Sequence, residues 1–175
     1  MDSRLVERVS LEAAAALGAT FDRLASASPA FASAPDLGDA LHVVATIGFA
    51  GMIRGTLTLV GTSDVIRALV DGSVDVSSDE MTRDVLAEHA NLAVGRLKSA
   101  LLRLGIETMI ALPTTLIGRQ LDLPSAAESV SQWFSFPHGA SALYARLDAD
   151  VAGCPAIRAV TEEETPMSEG DLVLF

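Results

Sequence analysis

The side chains best placed for chemistry fall on one predicted helix, at Asp84, Glu88, Asn91, Gly95 and Lys98. Asn91 is the only asparagine in the chain. Mid-helix is a poor place for it, because its side chain competes with the backbone for hydrogen bonds. At ~100° per residue these five positions fall within an arc of roughly 80°. Leu86, Ala90, Ala93, Leu97, Leu101 and Leu104 occupy the opposite side. One face is therefore core, and the other carries carboxylates, a carboxamide, an ammonium and a gap without a side chain. A carboxamide both donates and accepts hydrogen bonds, so it can hold a water molecule in a fixed orientation. A carboxylate one turn away lies on the same face. Gly95 costs the helix about 1 kcal/mol relative to alanine. On an exposed face, one turn beyond Asn91, it would let another backbone come close. Taken alone, Glu-x2-Asn is a weak pattern and by default a solvated helix surface.

The elements around this helix follow from pattern and punctuation. Leu5, Val9, Ala13, Leu17, Phe21 and Leu24 have helical spacing over residues 3 to 26. Ser28 to Gly38, with Pro29 and Pro35, reads as a loop. Leu41 to Phe49 and Thr56 to Val60 read as paired strands around Gly51 and Gly55. A short helix from Thr62 to Val70 precedes the motif helix. Ser77 and Ser78 then offer an N-cap, with Asp79 and Glu80 complementing the helix dipole. Gly105 is the expected stop. Ile106 to Ile117 reads as a strand interrupted by Pro113, which implies an edge position or a bulge. Val130 to Pro137 and Ala142 to Asp148 form a predicted hairpin through His138 and Gly139. Short glycine turns between strands require antiparallel pairing. The expected fold is α+β: an antiparallel sheet of five or six strands with long helices packed on it. Residues 1–150 are expected to form one domain, and residues 151–175 an acidic tail with an apolar end, DLVLF.

At 175 residues the chain has room for one substantial core. A net charge of −11 argues against nucleic acid, since phosphate binding needs clustered cations. Eleven of the twelve basic residues are arginines, and they are dispersed. Docking on another acidic protein therefore demands local complementarity, for which Arg96 and Lys98 stand beside the polar stripe. No apolar run approaches the ~20 residues needed to cross a bilayer, and MDSRLVERVS lacks a secretory core, so a cytoplasmic protein is expected. His42, His89 and His138 show no metal-ligand spacing, so no metal site is expected. His89 points about 100° from Glu88 and reads as a boundary residue. Gly51 and Gly55 lack the lysine of a phosphate-binding loop. Trp133 and Phe134 read as core strand residues, and Cys154 as an incidental thiol.

The stretch DVLAEHANLAVGRLKSALLRLGIETMIALPTTLIG carries Asp-x3-Glu-x2-Asn, then Gly95, then Pro113 after a helix-to-strand passage. Together with VVATIGFAGMIRGTLTLV upstream, it resembles the CheC/CheX/FliY family of chemotaxis phosphatases. The closest resemblance is to the single-motif, CheX-like domains, since one asparagine permits one motif. The resemblance spans roughly residues 40 to 149 and leaves out the long N-terminal helix and the acidic tail. Arg96 departs from it, standing where relatives commonly carry a small polar residue.

The resemblance implies hydrolysis of an aspartyl phosphate on a phosphorylated CheY-like response regulator. Asn91 would orient the attacking water and Glu88 would pair with the regulator's active-site lysine, these two being the catalytic residues. Asp84, Gly95 and Lys98 would contact the partner. The chain would need no cofactor of its own, Mg2+ being supplied by the receiver domain. A homodimer is expected, because duplicated relatives carry two motifs and a two-fold pair restores that arrangement. The C-terminal strands and DLVLF are its expected interface. The rival function is a non-enzymatic receiver-binding adaptor or flagellar-switch-type module with the same fold. A weaker third is a ligand sensor using the groove beside the motif helix.

Overall fold

Ser78 starts the central helix as expected: its hydroxyl accepts from the Met81 amide at 3.1 Å, satisfying one orphan donor of the first turn. The computed structural model describes residues 3–24, 30–70, 76–124, 130–152 and 154. Within them the elements are α1 (Ser3–Thr20), β1 (Ala30–Ala32), β2 (His42–Gly51), β3 (Arg54–Gly61), α2 (Ser63–Arg67), α3 (Asp79–Arg103), β4 (Thr108–Ile110), β5 (Thr114–Gly118), β6 (Val130–His138) and β7 (Ser141–Asp150). The motif helix α3 is capped at Leu104, and Gly105 follows at φ +74°, a left-handed conformation that glycine adopts without a Cβ clash.

All strand pairs are antiparallel, and the seven strands form one sheet in the order β1-β6-β7-β3-β2. Both β4 and β5 lie along the outer edge of β2. The count exceeds five or six for two reasons. The segment read as a loop contains the three-residue β1, and the strand around Pro113 is split in two. Ile110 pairs with Phe49 and Thr114 with Thr46. Three residues, Ala111, Leu112 and Pro113, therefore oppose two on β2, which is a one-residue bulge on an edge strand. Proline has no amide to donate, so the interruption falls where the ladder loses least.

One face of the sheet packs against α1 and α3. Alternation along β7 places Leu143, Ala145, Leu147 and Ala149 in the core with Leu57 and Leu59 of β3 and Ala45 and Ile47 of β2. Leu86, Ala90, Ala93, Leu97 and Leu101 of α3 bury against them, as do Leu5, Val9, Ala13 and Leu17 of α1; Leu104, at the cap, is half-buried. Helix α1 ends at Thr20 rather than near residue 26, because Phe21 turns into the core and packs edge-on against Phe136, centroids 4.9 Å apart.

On the C-terminal strands, where the dimer interface is expected, both edges of β7 are taken by β3 and β6, and β1 pairs with β6 over Trp133–Ser135. The acidic tail beyond Cys154, including DLVLF, lies outside the described residues. No helix among the described residues is long and apolar enough to cross a membrane.

Candidate functional site

Asp84, Glu88, Asn91 and Lys98 are all exposed, on the side of α3 turned away from the sheet. The site is therefore a helix surface rather than a cavity ringed by loops. Its rigidity comes from beneath: six side chains of the same helix are in the core, so the stripe cannot rotate without unpacking them. Among the described residues no other side chain engages the Glu88 carboxylate or the Asn91 carboxamide. Both are free to meet a partner.

Gly95 is half-buried, and nothing lies within 4 Å of where its Cβ would stand. The residue is thus not required by crowding inside the protein. His89 is half-buried, with Nδ1 2.8 Å from the Val85 carbonyl and its ring stacked on Phe21 at 6.1 Å. It belongs to the packing behind the stripe and not to the stripe.

The sequence did not reveal how close α1 comes to this surface. Arg96 donates from Nη1 to the Ala19 carbonyl at 2.6 Å and to Thr20 Oγ1 at 2.8 Å. Thr20 Oγ1 in turn donates to the Ala16 carbonyl at 2.8 Å. A guanidinium at the C-terminal end of α1 also faces the negative end of that helix dipole. Arg96 is therefore a strap between two helices before it is a docking charge. The one signal for this was its angular position, between the polar stripe and the core.

A second polar cluster lies on the opposite face of the sheet. Arg146 and Asp148, both buried, pair at 2.7 Å; Ser131 donates to Asp148 at 2.7 Å, and the guanidinium sits 5.2 Å from the Trp133 ring centroid. Arg146 also donates to the carbonyls of Leu123 and Pro124, pinning that loop across the sheet. Trp133 is half-buried beneath Arg146, and only its neighbour Phe134 is in the core. Every member of this cluster is used in holding structure. Among the described residues no group of three or more His, Cys, Asp or Glu side chains is placed to hold a metal ion.

The profile of the family described as chemotaxis phosphatase CheX matches residues 43–135, which include the whole of α3. The chain belongs to that family. No curated protein matches it. Among solved structures, a chemotaxis protein CheX from Desulfovibrio desulfuricans superposes with a TM-score of 0.65 at 17% identity, covering 81% of this chain and 98% of that one. CheX from Vibrio vulnificus gives 0.63 at 18% identity, covering 81% and 95%. A CheX–CheY–BeF3–Mg2+ complex from Borrelia burgdorferi gives 0.58 at 18% identity, covering 83% and 97%. At such identities these likenesses speak for the fold.

Proposed function

We propose that this member of the CheX family hydrolyses the aspartyl phosphate of a CheY-like receiver domain, with Asn91 and Glu88 as its catalytic residues. The observation that carries this is the pairing of two disengaged side chains, a carboxylate and a carboxamide, i and i+3 on one exposed helix face inside the family-matched segment. The spacing lets a single docked helix deliver both.

An aspartyl phosphate is an activated acyl phosphate. Its hydrolysis needs a water held in line with the scissile bond and stabilisation of the developing charge, with little covalent chemistry from the enzyme. In this reading the Asn91 carboxamide enters the receiver's pocket and orients that water by donating and accepting hydrogen bonds. The water oxygen bonds to phosphorus while the bond from phosphorus to the aspartyl oxygen breaks. The electron pair goes to the carboxylate, and the proton leaves with the phosphate product. Glu88 pairs with a lysine of the receiver, anchoring α3 and fixing the depth Asn91 reaches. Asp84, Gly95 and Lys98 complete the contact.

A CheX–CheY complex among the structural relatives contains Mg2+. On this chain Asp84 and Glu88 are joined by no third ligand among the described residues, so they do not fit a resident metal. Mg2+ is assigned to the receiver, where it would offset charge on the phosphoryl oxygens.

Residues 1–150 act as one unit in this account, since α1 shares the core with α3 and the sheet. The direct test follows phosphate release from a phosphorylated receiver in Mg2+ with and without the protein. Acceleration is expected. Binding of the phosphorylated receiver without acceleration would establish the adaptor instead.

A further inference from the structure

Helix α1 lies outside the family-matched segment, yet it supplies one wall of a groove whose other wall, on α3, includes Asn91 and Gly95 of the proposed site. The groove has a volume of about 550 Å3 and is lined by Glu12, Ala15 and Ala19 from α1 and by Asn91, Gly95 and Arg103 from α3, among others. Ala15 and Ala19 are exposed and too short to fill it. Leu92, 45% exposed, stands beside Asn91 at the rim. Arg96 sets the width, because its bonds to Ala19 and Thr20 fix the end of α1 against α3.

We propose that this groove seats an acidic segment of the phosphorylated receiver adjoining its acyl phosphate, making α1 a second docking element. The proposal rests on the reading of Asn91 as the group that enters the receiver's pocket. If Asn91 reaches the phosphoryl group, the receiver surface around that group lies within a side chain's length of Asn91. The concavity at that distance is this groove. That surface carries the phosphoryl oxygens and the carboxylates that hold Mg2+. The chain itself has a net charge of −11, so an acidic segment gains nothing from long-range attraction to it. Arg96 and Arg103 place two cations in the groove against one carboxylate, Glu12, which is itself paired with Arg8 at 2.9 Å, so charge complementarity to an acidic segment acts at contact distance and fixes register. The short side chains of Ala15, Ala19 and Gly95 allow the receiver's backbone to come close.

The test titrates a CheY-like receiver held with BeF3 and Mg2+ against wild type, Ala15→Trp, Arg103→Glu and a control, Glu7→Trp. All three positions are exposed, and a melting curve for each variant accompanies the titration. Ala15→Trp fills the groove and is expected to weaken binding about ten-fold or more, the scale of a lost anchor contact. Arg103→Glu is expected to weaken it about five-fold, and by less in about 0.5 M salt. Glu7→Trp, on a different side of α1, is expected to bind as wild type does. Wild-type affinity in both Ala15→Trp and Arg103→Glu would overturn the proposal and leave the groove to a small ligand or another protein. Failure of wild type itself to bind the receiver would overturn the parent reading, a separate result.

Discussion

Arg96 and Ala19, 77 positions apart in sequence, meet at 2.6 Å. This contact joins a helix outside the family-matched segment to the helix that carries the proposed site. It gives the approach to Asn91 a second wall.

Removing the strap should cost stability modestly. Arg96→Ala loses two hydrogen bonds from a largely exposed guanidinium, so the protein should lose about 1 kcal/mol by urea denaturation. A change below about 0.3 kcal/mol, the usual scatter of distant surface changes, would show that α1 is held by its apolar face alone.

The buried pair on the far side of the sheet should behave differently. Asp148 is 1% exposed, and its truncation leaves Arg146 as an uncompensated buried charge. Asp148→Ala should therefore destabilise by about 3–5 kcal/mol, while the double change Arg146→Met, Asp148→Leu should recover much of that loss. Equal losses in the single and double variants would mean that the pair's contacts with Leu123, Pro124 and Ser131 carry the effect.

Much of this architecture was legible in the sequence, for identifiable reasons. The apolar stripe of α3 and its caps at Ser78 and Gly105 follow from local rules, and the structure agrees with them. The β2–β3 hairpin was signalled by glycines between runs of valine, isoleucine and threonine, and the β6–β7 hairpin by alternation on both sides of His138 and Gly139. Strand β1 was not, because three residues carry no periodicity and its pairing with β6 is a contact across about a hundred positions. Arg96, Arg146 and Asp148 were equally opaque. Their partners are backbone carbonyls and strand neighbours fixed only by tertiary packing. The proposed site stands out in the sequence because an isolated asparagine in mid-helix conflicts with local preference.

Dimerisation, expected from the single motif, should use an exposed apolar edge of the sheet. Along β4, the bulge and β5, Met109 is 74% and Leu112 88% exposed, and Leu116 is exposed as well. An apolar open edge is a ready pairing surface. Light scattering at tens of micromolar should give twice the chain mass of 18.2 kDa, and Leu112→Lys with Leu116→Lys should return it to 18.2 kDa. A monomeric wild type would remove the dimer from the account.

Cys154 is the lone cysteine of the chain, half-buried and packed against the core. Burial raises its thiol pKa, since desolvation disfavours the thiolate. The neutral thiol thus persists to higher pH than in an exposed cysteine. Alkylation near pH 8 should be slower than for a free thiol and should accelerate only as the pH climbs further. Reaction at the free-thiol rate would place Cys154 in solvent.

Glu88 and Asn91 should separate binding from rate. Glu88→Ala should weaken binding to the phosphorylated receiver by about ten-fold or more, because truncation leaves the receiver's lysine without its partner. It should leave the melting temperature nearly unchanged, since surface substitutions usually stay within about 0.5 kcal/mol. Unchanged binding would refute the anchoring role.

The most direct measurement is phosphate loss from a labelled, phosphorylated CheY-like receiver in Mg2+, compared between wild type and Asn91→Ala with binding titrated in parallel. If Asn91 orients the attacking water, the variant should bind the phosphorylated receiver within about three-fold of wild type, and its acceleration of dephosphorylation should fall by about 100-fold or more, as when a transition-state contact is removed. Equal dephosphorylation rates for wild type and Asn91→Ala would contradict the assignment of catalysis to this helix.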